Sequence, residues 1–249
     1  MILKKPDGRL WEIDVFRAVA VILMIFFHLL YDLHFFEVIQ WKIWSGYSIR
    51  IASCIASIFF ILVGMCLTIS YSKSKQTLSE NQIRIKFIKR GLKTFLLGMI
   101  ITALFLIVIP ERSIIFGVLH CIGVSIILSI PFLKYRLPNI VLGIILVGLG
   151  LFLKGFTFDF AWLLPFGFMP HVYVTSDYFP LLPWFGVLLI GIAIGNLLYP
   201  EGQRRYKIAD FSKNRVVSSF CFIGRHSLLI YFLHQPILLG IIFLLFLNQ

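Results

Sequence analysis

Residues 11–36 read WEIDVFRAVAVILMIFFHLLYDLHFF, from Trp11 to Phe36. The stretch opens with Glu12 and Asp14, turns apolar, and then carries Arg17, His28 and Asp32 inside the apolar run. On an α-helix Asp14, Arg17, Met24, His28, Tyr31 and Asp32 fall near one face, at spacings of three, four and seven. Arg17 and His28 are separated by about three turns, roughly 16 Å along the axis. A charge at the centre of a bilayer costs at least ~2.5–3.5 kcal/mol, so such residues face a bundle interior or a water-filled cavity. A purely structural reading also exists: an Asp14–Arg17 pair at the helix end and a core His28 bonded to Asp32. A single polar face on an otherwise apolar helix makes this stretch the first candidate for a site.

The rest of the chain sets the class. Of 249 residues, 59% are hydrophobic and only 14% charged, and the mean hydropathy is +0.95. Nearly uncharged apolar runs recur, each long enough to cross a bilayer of ~30 Å. The expected fold is an all-α polytopic transmembrane bundle in one domain, residues 1–249. Seven spans are expected at about 14–36, 47–71, 90–109, 113–133, 138–155, 179–199 and 226–247. Lysines and arginines number 23 against 11 acids, but they sit in short loops between apolar runs, which points to a membrane protein and away from nucleic acid. With the N-terminus inside, 18 of these cations fall on inner segments. Four (Lys42, Arg50, Arg112, Lys154) fall outside, and Arg17 lies in the first span. That bias orients the N-terminus to the cytosol and the C-terminus outward. Cys54, Cys66, Cys121 and Cys221 are isolated, without metal-ligand or redox spacing. The first apolar run shows no cleavage pattern and is expected to remain as a transmembrane helix.

Two segments between spans stand out. Ser72–Lys93 interleaves Ile83, Ile85, Phe87 and Ile88 with cations, as an amphipathic stretch lying on the inner leaflet would. Phe156–Tyr178 is aromatic and proline-bearing, suited to the interface or to a re-entrant cap, with Asp159, His171 and Asp177 as its polar groups. Further polar residues occur within spans: His120 in the fourth, and Tyr231, His234 and Gln235 beside Pro236 in the seventh.

Four sequence pieces in order resemble a family. Glu12-x-Asp14-x-x-Arg17, followed after ten residues by His28, resembles the first helix of transmembrane acyltransferases. Phe116–Gly123 (FGVLHCIG), Pro183-Trp184 with Gly186, and Gly224-Arg-His-Ser-Leu through His234-Gln235-Pro236 are similar to the heparan-α-glucosaminide N-acetyltransferase catalytic-domain-like branch. Ala18 stands where that family usually has glycine. The acting histidine of the lysosomal members lies slightly beyond the first helix, which sets His34 against His28 for that role.

The resemblance implies transfer of an acetyl group from cytosolic acetyl-CoA to an amine or hydroxyl of an extracytoplasmic sugar or glycan. Arg17, with Asp14 and Arg90, is then expected at the CoA site, because guanidinium groups bind phosphate bidentately. His28 is expected as general base or acyl carrier with Asp32 orienting it, and His34 as the rival base. His120, His234, Gln235 and Tyr31 are expected to meet the acceptor or the thioester. No metal is implied. The partners are the lipid bilayer, acetyl-CoA and the acceptor, a homo-oligomer is compatible with the sequence, and the location is the cell membrane, multi-pass. A proton-coupled transporter using the same buried His and Asp is the main alternative, and a seven-span sensor or scaffold the third.

Overall fold

The computed structural model describes residues 10–39 and 44–247. Lys4, Lys5, Arg9 and Lys42, counted in the charge balance above, lie outside them. The regular elements among the described residues are all helices, with no strand among them and one isolated bridge between Phe158 and Pro170. They form two compact units, 1–59 with 208–249, and 60–207.

In the first unit, α1 (Trp11–Phe35) packs against α7 (Arg215–Arg225) and α8 (Ser227–Ile242). The buried stripe of α1 is Ala18, Ala20, Val21 and Met24. Its small side chains let the neighbouring helices come close. At Gly224 of α7 a Cβ would run into the backbone of Asp14, so the two helices touch there through backbone alone. Asn214 starts α7 by accepting from the N–H groups of Val216 (2.9 Å) and Val217 (3.4 Å). This helix lies in what the charge count treats as a loop. It is short and amphipathic, and Cys221 and Gly224 are its buried residues.

The second unit contains α3 (Glu80–Val108), α4 (Val118–Leu128), α5 (Leu137–Leu153) and α6 (Leu181–Leu198), together with the end of α2 (Trp44–Lys75). The helix pairs α3–α4 and α5–α6 make the main contacts. At the α3–α4 crossing Gly91 and Gly123 face each other, and a Cβ on Gly91 would lie 2.6 Å from the Gly123 carbonyl oxygen. The basic stretch Ser72–Lys93 is not a separate surface helix. α2 continues to Lys75, and Ser79 opens α3 through a capping box with Gln82. A strong start signal and uninterrupted helix formers on both sides explain the difference: the cations decorate the ends of two long helices.

Each of the seven expected spans contains a helix, but their lengths differ. Five are long and apolar enough to cross a membrane: Trp11–Phe35, Tyr47–Lys75, Glu80–Val108, Leu181–Leu198 and Ser227–Phe246. The helices Val118–Leu128 and Leu137–Leu153 are shorter, at about 16 and 25 Å against the ~30 Å of hydrocarbon.

Candidate active site

α1 and α8 are joined by two polar contacts. Near one end Arg17 Nη2 donates to Ser227 Oγ at 3.0 Å, and Arg17 Nη1 lies 3.6 Å from Asp14 Oδ1. Near the other, Gln235 Nε2 lies 2.9 Å from both carboxyl oxygens of Asp32. Position increases together along the two helices, so α1 and α8 run in the same sense. Asp32 is only 3% exposed, and the side-chain amide supplies the donor its buried oxygens need.

The His28 and His234 rings meet edge to face, 5.0 Å between centroids. His234 is 9% exposed, and its Nδ1 lies 2.6 Å from the Tyr231 carbonyl oxygen. A carbonyl only accepts, so Nδ1 carries the hydrogen and Nε2 carries the lone pair. That Nε2 is buried without a hydrogen-bond partner among the described residues, and so is Gln235 Oε1. The spacing of Asp32 to His28 suggested a bond between them. Instead the Asp32 side chain pairs with Gln235 across the helix interface.

The other expected site residues are distributed as follows. His34 Nδ1 lies 3.4 Å from the Ile39 carbonyl oxygen, in the turn that ends α1. Tyr31 is exposed and stacks on Phe35. Arg90 is exposed on α3, in the second unit. His120 is also in that unit and is 1% exposed. Its Nδ1 accepts from the Gly117 N–H at 3.2 Å, which leaves the hydrogen on Nε2, 3.4 Å from Thr102 Oγ1. Thr102 in turn donates to the Ile114 carbonyl. Both ring nitrogens of His120 are thus engaged, between the rings of Phe95 and Phe116, and the side chain ties α3 to the start of α4.

The aromatic segment 156–179 returns to that same start. Phe179 N–H donates to the Phe116 carbonyl, Thr175 Oγ1 to the Ser113 carbonyl, and Asp177 Oδ2 accepts the Val118 N–H at 2.9 Å. Asp177 therefore caps α4 from a distant part of the chain, whereas Asp159 pairs with His171 at the exposed surface, 3.1 Å apart. Burial pushes the Asp177 carboxyl up to about 6, against the pull of the Val118 N–H. An aspartate raised above its ordinary value near 3.8 holds its proton more tightly when folded. Its contribution to stability is full below that value and is lost as pH rises through about 6. Asp177→Asn keeps an oxygen for Val118 and removes the titration. We expect the fall in melting temperature between pH 4 and 6 to flatten in this variant, and an unchanged slope would contradict the assignment.

Buried Asp32 and His234, beside half-buried His28 and Gln235 on helices able to cross a membrane, make the candidate site of a membrane protein. The family model described as "Heparan-alpha-glucosaminide N-acetyltransferase, catalytic" matches residues 9–236. The chain belongs to this family, and the match takes in both α1 and the Gly224–Pro236 stretch that runs from the end of α7 into α8. It is thereby placed among the membrane acetyltransferases. No curated protein matches the chain, and no solved structure does. The pairings of Arg17 with Ser227 and of His120 with Thr102 were not legible: Ser227 stood only as part of the Gly224-Arg-His-Ser-Leu piece, and Thr102 is an isolated hydroxyl in an apolar run.

Proposed function

We propose that the chain transfers an acetyl group from cytosolic acetyl-CoA to an amine or hydroxyl of an extracytoplasmic sugar or glycan. The observation that carries this reading is the buried α1–α8 cluster of His28, Asp32, His234 and Gln235 within the family match. A histidine of the cluster accepts the proton of the acceptor or carries the acetyl group as an acyl-histidine. His120 serves structure, and Tyr31 and His34 stand at the outer end of α1.

Arg17 is proposed to hold a CoA phosphate. Its guanidinium has five N–H donors, of which Ser227 and Asp14 engage only some, and the side chain is 32% exposed. Asp14 then orients Arg17, and Arg90 adds to the basic inner face. The N-terminus is cytosolic in this arrangement, from the charge bias. Parallel α1 and α8 require an odd number of crossings, which seven spans satisfy. The chain is read as a single catalytic domain in the cell membrane, and a homo-oligomer remains compatible with it.

Acetyl-CoA should stabilise the purified protein, by about 2.7 kcal/mol at a concentration one hundred times its Kd. Arg17→Ala should weaken this binding roughly tenfold or more, as expected for lost hydrogen bonds to a charged group. Arg17→Lys should recover part of it, since lysine lacks the planar fork. A proton-coupled carrier for an unrelated solute would show no shift with CoA or acetyl-CoA, and that result overturns the proposal.

A further inference from the structure

The side chains of consecutive residues His234 and Gln235 each present one buried, unpartnered atom, Nε2 and Oε1. Their characters follow from their partners. The Tyr231 carbonyl fixes the hydrogen of His234 on Nδ1, and the Asp32 oxygens take the amide N–H of Gln235. Both unpartnered atoms are therefore acceptors. Burying an acceptor without a donor costs on the order of 1–3 kcal/mol, so two in succession on α8 call for a ligand that brings donors. The carbonyl of a thioester has none. An amine or a hydroxyl does.

His120 provides the internal contrast. It is the opposite tautomer, with Nδ1 receiving a backbone N–H and Nε2 facing a threonine hydroxyl. Nothing on it is left to react. His28 also differs from His234: no hydrogen bond fixes either of its ring nitrogens among the described residues, and its contacts are the rings of Phe27 and His234. Of the cluster's two histidines, only His234 is held by the protein in the form a base requires, with one nitrogen anchored and the other bare.

Resting on the acetyl-transfer reading above, we infer that His234 is the general base and that His234 Nε2 and Gln235 Oε1 receive the nucleophilic amine or hydroxyl of the acceptor. The acceptor nitrogen or oxygen forms a bond to the thioester carbonyl carbon as its proton passes to Nε2. The C–S bond then breaks, the sulfur leaves with the electron pair, and the proton on Nε2 goes to it, giving the acetylated acceptor and CoA thiol. No oxidant, metal or further reactant is needed. His28 borders the base as a positioning ring, with Asp32 holding Gln235 from α1.

The test follows labelled acetyl transfer from acetyl-CoA to a panel of amino sugars and glycans, with pH profiles of kcat/KM on the acceptor that reacts best. His234→Ala should lower kcat about a hundredfold or more and erase the rise of rate with pH, while acetyl-CoA still raises the melting temperature. His28→Ala should turn over more slowly but keep the inflection. Gln235→Ala should raise the acceptor KM more than it lowers kcat. The assignment is overturned if His234→Ala keeps the inflection while His28→Ala loses it. A His234→Ala protein that no longer melts cooperatively is replaced by His234→Gln, with the same two outcomes. Failure of the wild-type protein both to transfer acetyl and to respond to acetyl-CoA sinks the underlying reading, and the role of His234 with it.

Discussion

Gln235→Leu is expected to be among the most damaging single changes to the α1–α8 pair. The Gln235 amide lies 2.9 Å from both oxygens of Asp32, which is 3% exposed and buried among apolar helices. Removing the amide leaves the carboxyl without its donor in a setting where water cannot replace it. The cost is roughly 2–3 kcal/mol, the desolvation of a polar group that has lost its partner. Asp32→Leu alone frees the amide and costs less, since an amide is cheaper to bury than a carboxyl. Replacing both by leucine should restore most of the stability, because no unpaired group remains. Melting temperatures in detergent for the two single variants and the double give the coupling directly. A double variant whose loss equals the sum of the two single losses would show that the pair contributes nothing as a pair. All three should be poor enzymes.

The second large effect is expected in rate. His28→Ala removes the ring that packs 5.0 Å from His234, and a loss of about a hundredfold in turnover is expected, the size that follows when a reacting group is misplaced by about 1 Å. His34→Ala should keep most of the wild-type rate. His34 lies at the last turn of α1 against the Ile39 carbonyl. Acetyl-CoA stabilisation should survive in both variants, since neither residue is placed at the phosphate end. The family resemblance alone left these two histidines in competition, and turnover of the two variants decides it. An inactive His34→Ala beside a fully active His28→Ala would move the reaction to the C-terminal end of α1.

What the sequence made legible was the all-helical, membrane-spanning class of fold and one half of the candidate site. The polar face of α1 stood out because charged residues inside an apolar run are costly, and their helical spacing is set by local geometry. His234 and Gln235 stood out for the same reason on α8. Their pairing did not. Asp32 and Gln235 are 203 positions apart in the chain, and no local rule joins them. Helical spacing offered His28 as the partner of Asp32, four residues away, yet the carboxyl required a donor and α8 supplied one. His120 looked as reactive as His234 in sequence. Only the contacts of Gly117 and Thr102 show that its nitrogens are already engaged. α7 escaped notice because eleven residues, although amphipathic, are too few and too polar to read as a span, and a helix that short is held by its packing against α1.

The most direct measurement of the central claim is transfer of labelled acetyl from acetyl-CoA by the purified wild-type protein, offered amino sugars and glycans in turn. Label is expected in at least one acceptor, growing with enzyme and time, with loss of that signal in His234→Ala protein that acetyl-CoA still stabilises. Label transfer that persists undiminished in His234→Ala, or a wild-type protein that transfers to none of them and melts at the same temperature with and without acetyl-CoA, would contradict it.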